Sequence, residues 1–468
     1  MLFNSINYFI FLFITIIIYF IAPEKYRKYI LLLASYFFYA YSDFKNIIIL
    51  ILVTLISFIS GLLLEKYKNK STQKKIIFIA IFLIVGILIY FKYLKFVYEN
   101  INYLLNTNFS IENIVVPLGI SFFTLQAISY PIDVYRKEVD VEKNIFTFAL
   151  FVSFFPQILS GPIGKSKNML PQFNKKCIAK KENIKVGAYI ILFGLFQKMV
   201  IADLLAIGVN NVYSGLEDYK GIALIIVAFM YSFQIYFDFN SYSKMAYGSG
   251  KIFGYELINN FKSPYFSHSI KEFWSKWHIS LSTWFRDYIY FPLGGSRISK
   301  NRTYLNILIV FLISGLWHGA AYTFIIWGIL HALFQIFERQ FNLYFKFNFL
   351  NIIKTFILVT FAWIFFRANT LEDAIYFIKN MFFIDFVNIK NQILSVGLDK
   401  IEILVLIVSI SLVLTLEVIN IKKDICSWFV KTSPNFQAMI IMTTIFLIII
   451  FGVYGPGFDN SQFIYLGY

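Results

Sequence analysis

The sequence predicts an all-α, polytopic membrane helix bundle, and three observations predict it. Of its 468 residues, 59% are hydrophobic and only 15% are charged, against roughly 45–50% and about 25% in an ordinary soluble domain. The apolar residues form runs close to the ~20 residues that a helix needs to cross a bilayer. Basic residues collect in the gaps between those runs, the arrangement that fixes membrane topology. A soluble fold could not hide this much apolar surface, so the surplus faces lipid. The aromatic share, 20%, suits helix packing and anchoring at the two membrane interfaces.

Candidate spans fall at about 7–22, 29–43, 46–64, 76–97, 186–208, 221–237, 303–316, 322–345, 350–366, 402–420 and 436–453. Between 117 and 160, one or two further membrane segments are interrupted by Pro117, Pro131 and Pro156. The total is about a dozen spanning helices, accompanied by re-entrant or interfacial ones. The first run resembles a signal-peptide core, but it lacks a basic leader and a small-residue cleavage site, so it reads as a retained span. The layout is one membrane domain, 1–468: N-terminal spans over 1–110, a core over 111–345, C-terminal spans over 346–453 and a tail over 454–468.

Orientation follows from Lys and Arg. The loop 65–75 carries Lys66, Lys68, Lys70, Lys74 and Lys75, and the link 23–28 carries Lys25, Arg27 and Lys28, so both are expected in the cytosol. Segments 174–185, 286–302 and 421–431 are basic in the same way. The N-terminus and the tail from Tyr454, which has no Lys or Arg, are then extracytoplasmic. A net charge of +16 therefore serves topology and contact with anionic headgroups, with a polyanionic cytosolic donor as a further use; no nucleic-acid partner is implied. Cys177 and Cys426 are too few and too distant for a disulfide framework or a Cys-rich metal site. The four histidines make no zinc-binding spacing, so no metal is expected.

Two segments stand out. Over Ile270–Gly295, the residues Ile270, Phe273, Trp274, Trp277, Leu281, Trp284, Phe285 and Tyr288 recur at the steps of one helical face. Lys271, Glu272, Lys276, Arg286 and Asp287 make the stretch too charged to face lipid, so an interfacial or re-entrant helix is expected. His278 lies on its aromatic face, either as a packing-boundary residue or as part of a site. Pro292, Gly294 and Gly295 end the helix. Arg286, Arg297, Lys300 and Arg302 form either a binding surface for donor phosphates or ordinary cytosolic flanking charge.

The second segment is Ser314–Ala332. His318 lies deep in an apolar run between Trp317 and Gly319. An ionisable residue there is costly and so a functional candidate; a histidine bridging two helices is the plainer alternative. Desolvation disfavours the imidazolium, and a neutral imidazole is what a general base requires. Gly315 and Gly319 leave room for a substrate or another backbone. His331 follows thirteen residues after His318; on one continuous helix it would face elsewhere, so it is expected to be structural or to act through a neighbour. His268 reads as a loop or interfacial residue.

The segments VPLGISFFTLQAISYPIDVYR (116–136), FFPQILSGPIGK (154–165), FDFNSYSKMAYG (237–248), EFWSKWHISLSTWFRDYIYFPLGG (272–295) and GLWHGAAYTFIIWGILHA (315–332) resemble the membrane-bound O-acyltransferase family. The similar branch contains alginate O-acetylase and peptidoglycan O-acetyltransferases. The resemblance implies a helix bundle around a central tunnel, with His318 as catalytic histidine, His278 as a second functional histidine, and Trp274, Trp277, Trp317 and Gly319 along the tunnel. This chain departs from the usual pattern at Pro131, Lys244 and Ala332. The tail SQFIYLGY (461–468) resembles the aromatic end of such acetylases, making Tyr465 either an acyl relay or an interfacial belt residue.

The function this implies is transfer of an acetyl group from cytosolic acetyl-CoA, a substrate rather than a bound cofactor, for O-acetylation of a cell-envelope polysaccharide. The expected partner is an extracytoplasmic transferase of the SGNH, esterase-like type, and the expected location is the bacterial plasma membrane. D-alanyl transfer to teichoic acid from a carrier protein is the enzymatic rival. A transporter or flippase without acyl chemistry is the rival of another class.

Overall fold

The structure, a computed structural model, describes residues 1–41, 43–107, 114–175, 180–423, 425–455 and 463–464. Every regular element among them is helical. Among the described residues, seven helices are long and apolar enough to cross a membrane: Asn46–Lys66, Lys70–Lys92, Lys181–Ser214, Ile222–Ile252, Asn348–Arg367, Lys400–Lys422 and Pro434–Phe451. Ile6–Ile21, Glu24–Ala40, Ile120–Tyr135, Lys300–His318 and Tyr322–Phe341 add apolar helices at or near spanning length. The chain is a multi-pass membrane protein. Its outer faces carry exposed Ile, Leu and Phe, such as Phe82, Ile407 and Ile450, where backbone polarity is already satisfied within the helix.

The chain divides into two units. The first comprises the described residues of Met1–Ile191 and Met245–Ile258, together with 463–464. Its centre is Ile120–Tyr135, buried along nearly its whole length. Gly61 lies so near Tyr130 that a Cβ would meet that ring at 2.4 Å. Gly187 and Gly248 pack backbone to backbone in the same way: a Cβ on either would meet the other's carbonyl oxygen at 2.5 or 2.6 Å. Small residues permit this approach between membrane helices. Tyr8 meets Ser249 through their hydroxyls at 2.6 Å.

The second unit comprises, among the described residues, Leu192–Lys244 and 259–455, and it holds every histidine. Two sequence expectations change here. The span expected at 221–237 continues to Ile252, because polar residues such as Ser232, Asp238 and Ser241 are buried and bonded rather than marking a helix end. Ser232 and Ser241 return their hydroxyls to the carbonyls of Ala228 and Asp238, as helical serines do. The expected single helix over 270–288 is three pieces: Ile270–Lys276, Ile279–Phe285 and a π-helical turn, Arg286–Tyr290. Residues that keep one-face spacing hid the break.

Candidate active site

Ser269 opens the first piece by accepting the amide of Glu272, and Glu272 in turn accepts the amide of His268 at 2.8 Å. Partial burial pushes the Glu272 carboxyl up, but bonds from Lys276 and from that amide outweigh it and hold the group below its ordinary range. The helix stops at Trp277. His278 then takes a left-handed conformation, φ 43°, which residues with a Cβ adopt at a cost.

A distant loop holds the kink. The Asn260 carbonyl accepts the Ile279 amide at 3.0 Å, the Asn260 side-chain oxygen accepts the Ser280 amide at 3.1 Å, and the Lys262 amide reaches the Lys276 carbonyl. Asn260 thus caps the second piece from outside, satisfying amides that a helix start leaves open. The His278 ring is fully buried, 4.7 Å from Phe239 and 6.1 Å from Trp317 between centroids.

His318 ends the helix Lys300–His318, and Gly319 leaves it in extended backbone. The chain returns at once as Tyr322–Phe341. Glycines bring these two helices into contact: a Cβ on Gly315 would meet the Phe324 carbonyl at 2.3 Å, and one on Gly328 the Phe311 carbonyl at 2.4 Å. The space beside Gly319 is taken by the Phe324 ring, 2.2 Å from where its Cβ would stand. The room at Gly315 and Gly319 therefore serves backbone and ring packing. His318, 2% exposed, lies 4.9 Å from both Trp317 and Trp327 and 5.3 Å from Phe366. Trp317 touches both His278 and His318, so one indole joins the two candidate catalytic rings.

His331 belongs to the same cluster. On one continuous helix it would face elsewhere, but the helix ends at His318 and the chain returns as Tyr322–Phe341, which brings it to Trp327. Its ring lies 5.0 Å from Trp327, and its Nδ1 accepts the Trp274 indole N–H at 3.2 Å. Trp277 is fully buried against Trp363, 5.1 Å away. Water-poor aromatic walls of this kind strengthen any electrostatic interaction inside them.

The family model for membrane-bound O-acyltransferases matches residues 31–371. The chain belongs to the membrane-bound O-acyltransferase family. It is 37% identical over 385 residues to a probable alginate O-acetylase of Pseudomonas aeruginosa, covering 80% of this chain and 73% of that protein. It is 36% identical over 383 residues to a peptidoglycan O-acetyltransferase of Helicobacter pylori, covering 75% and 73%. A teichoic acid D-alanyltransferase of Bacillus subtilis is 28% identical over 242 residues, 49% of this chain and 61% of the relative. The molecule is accordingly an acyltransferase enzyme.

Other expected site residues lie elsewhere in this O-acyltransferase. Arg297 and Lys300 are exposed and Arg302 half-buried, at the far end of the helix from His318, about 27 Å away at ~1.5 Å per residue. Arg286 is exposed and paired with Asp287 at 2.9 Å. Lys244 donates to the Gln197 side chain at 3.0 Å and stands over the Phe193 ring. His268 is half-buried beside the Asn348 carbonyl. Tyr465 and Cys177 lie outside the described residues.

Sequence reasoning missed a buried ion cluster. The helix Lys181–Ser214 contains a π-turn, Gln197–Ala202. From it Lys198 reaches Asp203 at 2.8 Å and Asp238 at 2.6 Å, all almost fully buried. The π-turn also turns the Asp203 amide to the Lys198 carbonyl, leaving the Met199 carbonyl to accept the Val453 amide at 3.0 Å. Asp238 could have been flagged, since an acid inside an apolar run is a functional or structural signal by itself; Lys198 and Asp203 carried the same signal.

Proposed function

We propose that this O-acyltransferase takes an acetyl group from acetyl-CoA presented at the cytosolic face and passes it outward for O-acetylation of a cell-envelope polysaccharide. The observation that carries the reading is His318, buried at the end of a helix and walled by Trp317, Trp327 and Phe366. Its imidazole takes the proton of an acceptor hydroxyl as that oxygen attacks the thioester carbonyl. The tetrahedral intermediate collapses with cleavage of the C–S bond. The proton returns from the imidazolium to the leaving thiolate, giving an acetyl ester and free coenzyme A. His278, joined to His318 through Trp317, orients the acceptor side of this exchange.

Arg297, Lys300 and Arg302 hold the donor's phosphates at the start of the His318 helix. The thioester then has to enter the helix bundle by a tunnel to reach His318 while the charged end stays outside. The acetyl group leaves through an extracytoplasmic esterase-like transferase, in a bacterial plasma membrane with both termini outside. Similarity to an alginate O-acetylase and a peptidoglycan O-acetyltransferase supports this acceptor class.

Replacing His318 with Ala tests the reading. We expect loss of envelope ester acetate with undiminished protein in the membrane; normal acetylation would sink it. Donor assays with acetyl-CoA and with a D-alanyl carrier protein separate acetyl transfer from its rival. Ligand movement in His318→Ala membranes, with no coenzyme A released by the parental protein, would favour a transporter.

A further inference from the structure

Three buried nitrogens in the aromatic cluster that includes His318 have no hydrogen-bond partner among the described residues: the indole nitrogens of Trp327 and Trp363, and Nε2 of His331. The three rings are mutual neighbours. Trp327 lies 5.0 Å from His331 and 5.8 Å from Trp363, and His331 lies 6.2 Å from Trp363. All three side chains are fully buried.

The tautomer of His331 is fixed by its neighbour. An indole N–H can only donate. Because Trp274 donates to His331 Nδ1 at 3.2 Å, that nitrogen presents a lone pair, and the proton of the neutral ring sits on Nε2. His331 is thus a donor at the very atom that has no acceptor. Buried polar groups are almost always paired, and each unpaired one calls for an explanation. Three donors in one ring cluster, with no acceptor for any of them among the described residues, supply what an atom accepting several hydrogen bonds needs. Trp327 carries this site to His318, 4.9 Å away.

We propose that His331, Trp327 and Trp363 form the oxyanion site of the acyl transfer, donating to the thioester carbonyl oxygen as it becomes negative. The assignment rests on His318 being the base. It places charge stabilisation on the helix hairpin that carries His318 and on the neighbouring helix Asn348–Arg367, and leaves His278 to the acceptor. No proton moves through these donors: the carbonyl oxygen gains negative charge on attack and loses it when the C–S bond breaks. A fixed neutral donor suits this role, since it needs no reorganisation at the moment of reaction.

The test uses the full-length protein in native membranes and initial rates of coenzyme A release from acetyl-CoA. Trp327→Phe and Trp363→Phe delete one donor each and keep an aromatic ring. Replacing Trp327 with 3-benzothienylalanine removes the N–H at almost constant shape and controls for lost volume. We expect kcat to fall about 100-fold, the loss typical of one oxyanion donor, with KM changed less than about threefold and no drop in thermal stability for the benzothienyl variant. An unpaired donor that merely packs would be deleted without cost. His331→Gln, which keeps a donor, should retain more activity than His331→Phe.

Unchanged kcat in the two Trp variants, while His318→Ala is inactive, would overturn this assignment and leave the proposed function standing. Full activity in His318→Ala, or no coenzyme A released by the parental membranes, would overturn both.

Discussion

Lys198 Nζ lies 2.6 Å from Asp238 Oδ1 in the buried interior of the second unit. The pair links the π-turn of one membrane helix to the middle of another, and the residue after Asp238 is Phe239, whose ring meets His278 at 4.7 Å. An almost fully buried ion cluster thus lies one residue from a ring that packs on the candidate site residue His278. Asp203 completes it at 2.8 Å.

Removing only the cation should be the most damaging change to this cluster. Lys198→Met leaves two buried carboxylates facing each other, and breaking a buried pair costs about 3–5 kcal/mol. Asp203→Asn should cost less, because the Lys198–Asp238 pair survives. Thermal unfolding in detergent should rank the variants in that order. A Lys198→Met protein as stable as the parent would refute the structural role.

The kink at His278 makes a prediction about residue type. His278→Asn should fold normally, since Asn tolerates the left-handed region, while His278→Val should lose ~1–3 kcal/mol because a β-branched residue is strained there. Comparable melting temperatures for the two would show that the kink relaxes. Both should be impaired in acyl transfer.

Asn260 holds the backbone on the C-terminal side of His278. Asn260→Ala removes the acceptor of the Ser280 amide and should cost ~1 kcal/mol, as the loss of a helix cap does. We expect a larger fall in transfer rate than the stability loss explains, with donor KM near normal. A rate equal to the parent's would separate the cap from the chemistry.

Gly315 and Gly328 set the distance between the His318 helix and its return partner. Gly315→Val pushes against the Phe324 carbonyl and should destabilise by ~1–3 kcal/mol, the usual cost of overpacking. Acyl transfer should fall with it, since Trp327 would move from His318. Full activity would mean that the hairpin tolerates separation.

At the far end of that helix, Arg297→Glu and Lys300→Glu should raise donor KM with little effect on kcat. Exposed ion contacts are worth at most ~1 kcal/mol, so a shift of about fivefold or less per site is expected, shrinking at high salt. A fall in kcat with unchanged KM would place the donor elsewhere.

Much of this molecule can be read without coordinates because hydropathy adds up residue by residue along a local run. The spans around 46–64, 350–366, 402–420 and 436–453 reappear nearly residue for residue, and helix starts at Ser269, Ser299 and Ser433 carry their caps in the local sequence. His318 could be singled out for the same reason: one ionisable residue in an apolar run is visible locally. What local pattern could not supply is everything that depends on a partner far along the chain. The break at His278 is held by Asn260, the charge of Lys198 is answered by Asp238, and His331 joins His318 only because Gly319 ends a helix and Gly315 and Gly328 let the return helix close. The membrane environment and the helices follow from short-range free energies of transfer and capping. The pocket follows from packing, where each ring's position is set by neighbours that the sequence places tens of residues away.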